Sequence, residues 1–244
     1  MSTVYFLSLR QLRGRWRIIA LIGLLVLPMV SAIVAVLASD KPSAEDLDNA
    51  LLTAALASAI LPIVVLTLAT PLFGNELEDK TLSNLTLTPL PRWQLMAAKL
   101  AAAVTIALPL VAASSFVSVL VAFNGAELDG ATQAALAAAV GFSIGVLVYA
   151  ALFVWLGLVS QRALGIGLFY VFVWEGLFGT FVDGLKYLSI RSYSLSIVDA
   201  VDSSRFDETS QSVIGIEAAV IGAIVVFGVF TLLTIRRLRT MDVP

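Results

Sequence analysis

An all-α integral membrane protein is the fold class this sequence predicts, and three observations predict it. Of the 244 residues, 59% are hydrophobic and only 13% charged, where a soluble domain has about a quarter charged. The apolar residues gather into six runs, 18–38, 51–73, 97–123, 134–158, 163–182 and 215–235. Each run has about the 20 residues a helix needs to cross a hydrocarbon core of about 30 Å. Inside the runs the only Asp, Glu, Lys or Arg are Lys99, Glu175 and Glu217, a pattern that core helices of a soluble protein do not repeat six times. Residues 1–244 therefore read as one transmembrane domain of six spans.

The elements follow in order. Residues 1–17 predict an amphipathic interfacial helix, with Tyr5, Leu9, Leu12 and Trp16 on one face and Arg10, Arg13 and Arg17 on another. A basic flank that only orients the first span has the same pattern. The first apolar run is too long for a secretory signal, whose apolar region is about 7 to 15 residues. Pro28, Pro62, Pro71 and Pro109 each remove a backbone hydrogen bond and can bend their spans. Ser114 with Ser118, and Gly141 with Gly145, have the four-residue spacing of small residues that lets helices pack closely, within or between subunits. The third run is the longest and is expected to tilt or to end among the headgroups.

Charge sets the orientation. Counting alternate loops, eleven of the fifteen basic residues fall on one side: at both termini, in the loop after the second run, and at Arg162. The positive-inside rule then places both termini in the cytoplasm of a multi-pass cell-membrane protein. The formal charge of −2, with no Cys and no His, excludes a disulfide framework, a thiolate nucleophile, an imidazole base and the commonest metal ligands. No catalytic residue, metal site or nucleic-acid partner is expected.

The most informative loop is the cytoplasmic one after the second run. It carries an acidic cluster, Glu76, Glu78 and Asp79, then leucines at 82, 85 and 87, then Pro89 and Pro91 before Arg92, Trp93 and Lys99. A short amphipathic helix between two spans presents a ridge on which another protein can dock. Pro91 suits the first turn of the next span and Trp93 the interface.

This loop resembles that of permease subunits of type-2 exporter-class ATP-binding-cassette (ABC) transporters. The resemblance rests on Glu76, Thr81, Leu82, Leu85, Thr88, Pro89, Arg92 and Lys99 in that order, and on the layout of a surface helix, six spans and a long segment between spans five and six. Lys80 stands where the family usually has Gly, and Thr88 directly precedes Pro89. The resemblance implies that Glu76, Glu78, Asp79, Thr81, Leu82, Leu85, Pro89 and Arg92 belong to a coupling helix that sits in a cleft of a separate ATPase. Glu78 or Asp79 can pair with basic residues of that partner, or with Arg92 across the hairpin. No Gly-x-x-x-x-Gly-Lys-Ser/Thr run occurs in the chain, so this phosphate cradle is missing. ATP and Mg are expected on two partner ATPase subunits, and a second copy of the chain, or a similar permease, completes the pathway within the membrane lipids.

Glu175 lies 13 residues after Arg162, about 20 Å up a straight helix. A carboxylate at that depth is by default a functional candidate, lining an outer vestibule or an ion route. Alternatively the helix ends near Trp174, and Gly176, Gly179 and Gly184 ease a turn that leaves Glu175 a hydrogen-bonding structural residue; the resembling family has short re-entrant external helices here. Residues 185–201 are too polar to span and too apolar for a free loop, so they are expected to pack over the external mouth. Tyr187 and Tyr193 there are candidates for an external gate or for a lid that seals the dimer. The competing class is a self-contained secondary transporter or channel. The halves 1–123 and 124–244 show no convincing internal similarity to favour it, and a lone Glu175 gives no catalytic constellation for an intramembrane enzyme.

Overall fold

A single helix, Ala131–Val159, forms the axis around which most of the others pack. The computed structural model describes residues 2–12, 14–38, 43–79, 91–178, 183–203 and 213–241. Over these residues the protein is helical, with no strand. In chain order the helices are α1 (Ser2–Leu12), α2 (Arg15–Ala38), α3 (Ala44–Ala69), α4 (Pro71–Glu78), α5 (Arg92–Gly125), α6 (Ala131–Val159), α7 (Ala163–Phe169), α8 (Ile190–Val201) and α9 (Ile216–Thr240). Four of them, α3, α5, α6 and α9, are long and apolar enough to cross a membrane. The apolar stretches Leu21–Val34 in α2 and Ala163–Gly176 are shorter.

The amphipathic segment at the start is shorter than the sequence suggests. α1 stops at Leu12 and a new helix begins at Arg15, so Arg15 to Arg17 belong to α2. Gly14, a weak helix former, sits in the break. Val4, Ser8 and Leu12 form the buried stripe of α1, while Arg10 stays exposed. The helix is fastened to the bundle by the Tyr5 hydroxyl, 3.1 Å from Thr105 Oγ1, and by the Gln11 amide donating to the Pro71 carbonyl at 3.1 Å.

Two prolines mark changes of winding in the second apolar run. From Asp48 to Ile60 the backbone follows wide i→i+5 winding, and the α form returns at Leu61 with Pro62 in its first turn. Pro71 likewise opens α4. A proline needs no N–H partner in a first turn, so both stand where the missing donor costs least.

The axis helix is built from small residues. Ala134, Ala135, Ala137, Ala138, Gly141 and Gly145 are all buried, and α5, α8, α9 and α3 close around them. In a bilayer there is no hydrophobic drive to bring helices together, so close van der Waals approach does the work. A Cβ on Gly141 would lie 2.7 Å from the Ser194 carbonyl, and one on Gly145 would overlap the Ser194 hydroxyl. The Gly141/Gly145 pair therefore serves a contact inside the chain, against α8. Near the C-terminal end of α6 a Cβ on Gly157 would overlap the Thr70 carbonyl, which places the α3–α4 junction directly on α6. The opposite surface is apolar and open: Ile221, Ile224 and Leu232 on α9 are each more than 60% exposed, as suits a face turned to lipid or another subunit.

Candidate functional site

The end of α4 and the start of α5 flank the loop singled out by the sequence, and one buried lysine joins them. Lys99, on the second turn of α5, is 1% exposed and donates to the Leu72 carbonyl and to Glu76 Oε1 on α4, the latter at 2.5 Å. Its Nζ also stands 4.6 Å from the centre of the Phe73 ring. Three N–H donors thus meet a carbonyl, a carboxylate and an aromatic face, which is the full valence of an ammonium group. Burial pushes the Glu76 carboxyl above its ordinary value, and the Lys99 charge pulls it back. The second carboxylate oxygen of Glu76 is buried without a hydrogen-bond partner. The brace fixes the angle at which the chain enters and leaves residues 80–90.

Beyond the brace the surface is polar. Glu78 and Asp79 are exposed at the end of α4, and Arg92 is half-buried at the first position of α5. Among the described residues no ion pair joins Arg92 to either acid. Thr81, Leu82, Leu85 and Pro89, the expected ridge of the coupling helix, lie outside the described residues. A neighbouring depression of about 470 Å³ is lined by Leu77 of α4, by Val159 to Arg162 after α6 and by Arg237 of α9. Arg162 and Arg237 were assigned to this side by the charge rule but not to a site. Their sequence separation hid that α4, α6 and α9 end together.

Glu175 is wholly buried. The helix does not stop near Trp174: α7 runs on without a break into a wide i→i+5 stretch, Tyr170–Phe178, and Glu175 lies inside it. The physical reason is that the first residues of α8 complete the environment that a membrane carboxylate needs. Glu175 accepts from the Tyr170 hydroxyl at 3.1 Å, the Ser189 hydroxyl at 2.5 Å and the Ile190 backbone N–H at 3.1 Å. Ile190 is the first residue of α8 and Ser189 its N-cap, so the negative charge also meets the positive end of the helix dipole. Arg191 donates to the Glu175 carbonyl at 3.4 Å.

α8 packs into the bundle against α6 and α9. Ser194 reaches Gly145, at the middle of α6, and Tyr193 lies against Gly222 of α9. Tyr193 is 2% exposed and donates to the Tyr187 carbonyl at 2.5 Å, whereas the Tyr187 side chain is 54% exposed. Of the two tyrosines, only Tyr187 is open to contact from outside the chain.

Among the described residues no cluster of acidic residues has the arrangement to hold a metal. Residues 10–175, more than half of the chain and including the braced loop, match the family described as ABC-2 family transporter protein. No curated protein matches the chain.

Proposed function

The chain belongs to the ABC-2 transporter family, as the permease subunit of an ABC transporter, and on that premise we propose that two copies form the pathway of an ATP-driven exporter. Each copy spans the membrane six times, with α2 and the helix that starts at Ala163 added to the four long helices, and both termini in the cytoplasm. Two separate ATPase subunits bind ATP and Mg. They act on the spans through residues 74–95.

The observation that carries this reading is the Lys99–Glu76–Leu72 brace at the base of the loop. A loop that transmits force must not pivot at its base, and a buried lysine tying α4 to α5 supplies that stiffness. ATPase closure would press the ridge at residues 80–90, and the brace would pass the movement to α3 and α5 together. Glu175 acts in this scheme as the anchor of α8, with Tyr187 as the exposed element of the external gate.

The test is affinity purification of the tagged chain in mild detergent, with mass spectrometry of copurifying proteins and an ATPase assay. The proposal expects an ATPase that is lost when Glu78 and Asp79 are both changed to Lys, while the permease keeps its fold. Purification of the wild-type chain without any nucleotide-binding protein contradicts it and favours a self-contained transporter.

A further inference from the structure

Between α1, α2 and α5 runs an apolar groove of about 890 Å³, within the range of clefts that hold a small amphiphile, about 300–1,000 Å³. Its walls are Phe6 and Leu9 of α1, Leu21 and Leu25 of α2, and Ile106 and Leu110 of α5. Among the described residues one charged side chain, Arg10, lines it, and Arg10 is exposed. One turn beyond Leu110, the Ser114 hydroxyl donates to the Leu25 carbonyl at 2.7 Å and joins the two walls. The Tyr5–Thr105 hydrogen bond holds α1 against α5 beside it.

A narrow apolar slot with a cation beside it matches one kind of molecule: an acyl chain joined to an anionic headgroup. We infer that this groove is a binding site for an anionic phospholipid of the cytoplasmic leaflet, its tail between α2 and α5 and its phosphate on Arg10. The sequence adds Arg13, Arg15 and Arg17 within seven residues of Arg10, the basic clustering that anionic membrane surfaces attract. The same charge argues against a second copy as occupant. A two-fold contact sets each patch against its own copy and would bring the arginines of both chains together. A bound lipid would set the position of α1, which is fastened to Thr105 on α5 and to the Pro71 carbonyl at the start of α4. The inference rests on the cytoplasmic placement of the N-terminal arginines and not on an ATPase partner.

The test is native mass spectrometry of the full chain released from detergent micelles containing phosphatidylglycerol or phosphatidylcholine with identical acyl chains. Wild type should retain phosphatidylglycerol preferentially. Arg10→Gln should lower that preference about fivefold, the weight of one arginine at an anionic surface, and Arg10→Lys should restore most of it. Leu110→Trp, which fills the groove, should lower retention of both lipids. Equal retention of the two lipids by wild type, or an unchanged preference in Arg10→Gln, overturns the site. So does a cysteine placed at Ile22 that cross-links two copies when no phosphatidylglycerol is bound, since the groove is then a subunit interface.

Discussion

Replacing Lys99 by Met removes the charge and all three donors from the α4–α5 brace while keeping most of the side-chain volume. Glu76 is left partly buried without its counter-charge, and the Leu72 carbonyl loses its lysine partner. Removing one member of a buried pair costs about 3–5 kcal/mol, because the remaining charge is desolvated and uncompensated. For a chain of this size that is a fall in Tm on the order of 10 °C. The loss should depend on pH in a definite direction. Burial already holds the Glu76 carboxyl above its ordinary value of 4.5, and without Lys99 nothing pulls it down. A carboxyl raised in the folded state contributes stability below its unfolded value and loses it as pH rises through the folded value. Lys99→Met should therefore lie nearest to wild type in acid and fall away as pH rises above about 4.5. Adding Glu76→Met should recover most of the loss, since an apolar pair of similar volume is often neutral or better. The assay is thermal unfolding of the detergent-solubilised chain, followed by tryptophan fluorescence from acid to neutral pH. A Lys99→Met protein with wild-type Tm at neutral pH, or a double variant worse than the single one, refutes the reasoning.

Three further outcomes follow from the packing. Glu175→Ala leaves the Tyr170 and Ser189 hydroxyls and the Ile190 N–H unsatisfied in the interior, at about 1–3 kcal/mol each. It should lower the yield of folded protein sharply, and Glu175→Gln less so; wild-type stability in Glu175→Ala would remove the anchoring role. Gly157→Ala meets the Thr70 backbone and should cost about 1–3 kcal/mol, while Gly228→Ala enters open space and should be neutral or gain up to about 1 kcal/mol of helix propensity. Comparing their melting temperatures checks the contact geometry. Arg92→Glu changes a half-buried charge that has no ion-pair partner among the described residues; it should leave Tm within a few degrees of wild type while abolishing ATPase copurification.

The apolar runs located the long helices because length and hydropathy alone decide whether a segment can cross a bilayer. Glu76 and Lys99 stood out in the sequence as well, as the ionisable residues nearest the ends of adjoining spans. Their direct pairing did not, because it depends on the turn of α4 that brings Glu76 over Lys99. α8 was the least legible element. Its serines made it look too polar to enter the bundle, yet Ser194 and Ser196 donate to carbonyls four residues back, at 3.1 and 2.8 Å. Hydroxyls satisfied within their own helix do not need water, so α8 could be buried against Gly141 and Gly145. The two readings of Glu175 stayed open for a related reason: two of its partners come from residues 189 and 190, and sequence spacing carries no sign of that approach. The break between α1 and α2 was hidden because apolar periodicity continues through Gly14 even though the helix does not.

Whether residues 74–95 couple this permease to a separate ATPase is tested most directly by placing a photo-cross-linking amino acid at Glu78 or Trp93, both exposed on either side of the loop, in the chain expressed in its own membrane. The predicted result is a cross-link from both positions to one nucleotide-binding protein, changed in yield when ATP hydrolysis is blocked by vanadate. Cross-links from both positions only to lipid or to the chain itself, with the membrane ATPases present, contradict the coupling role.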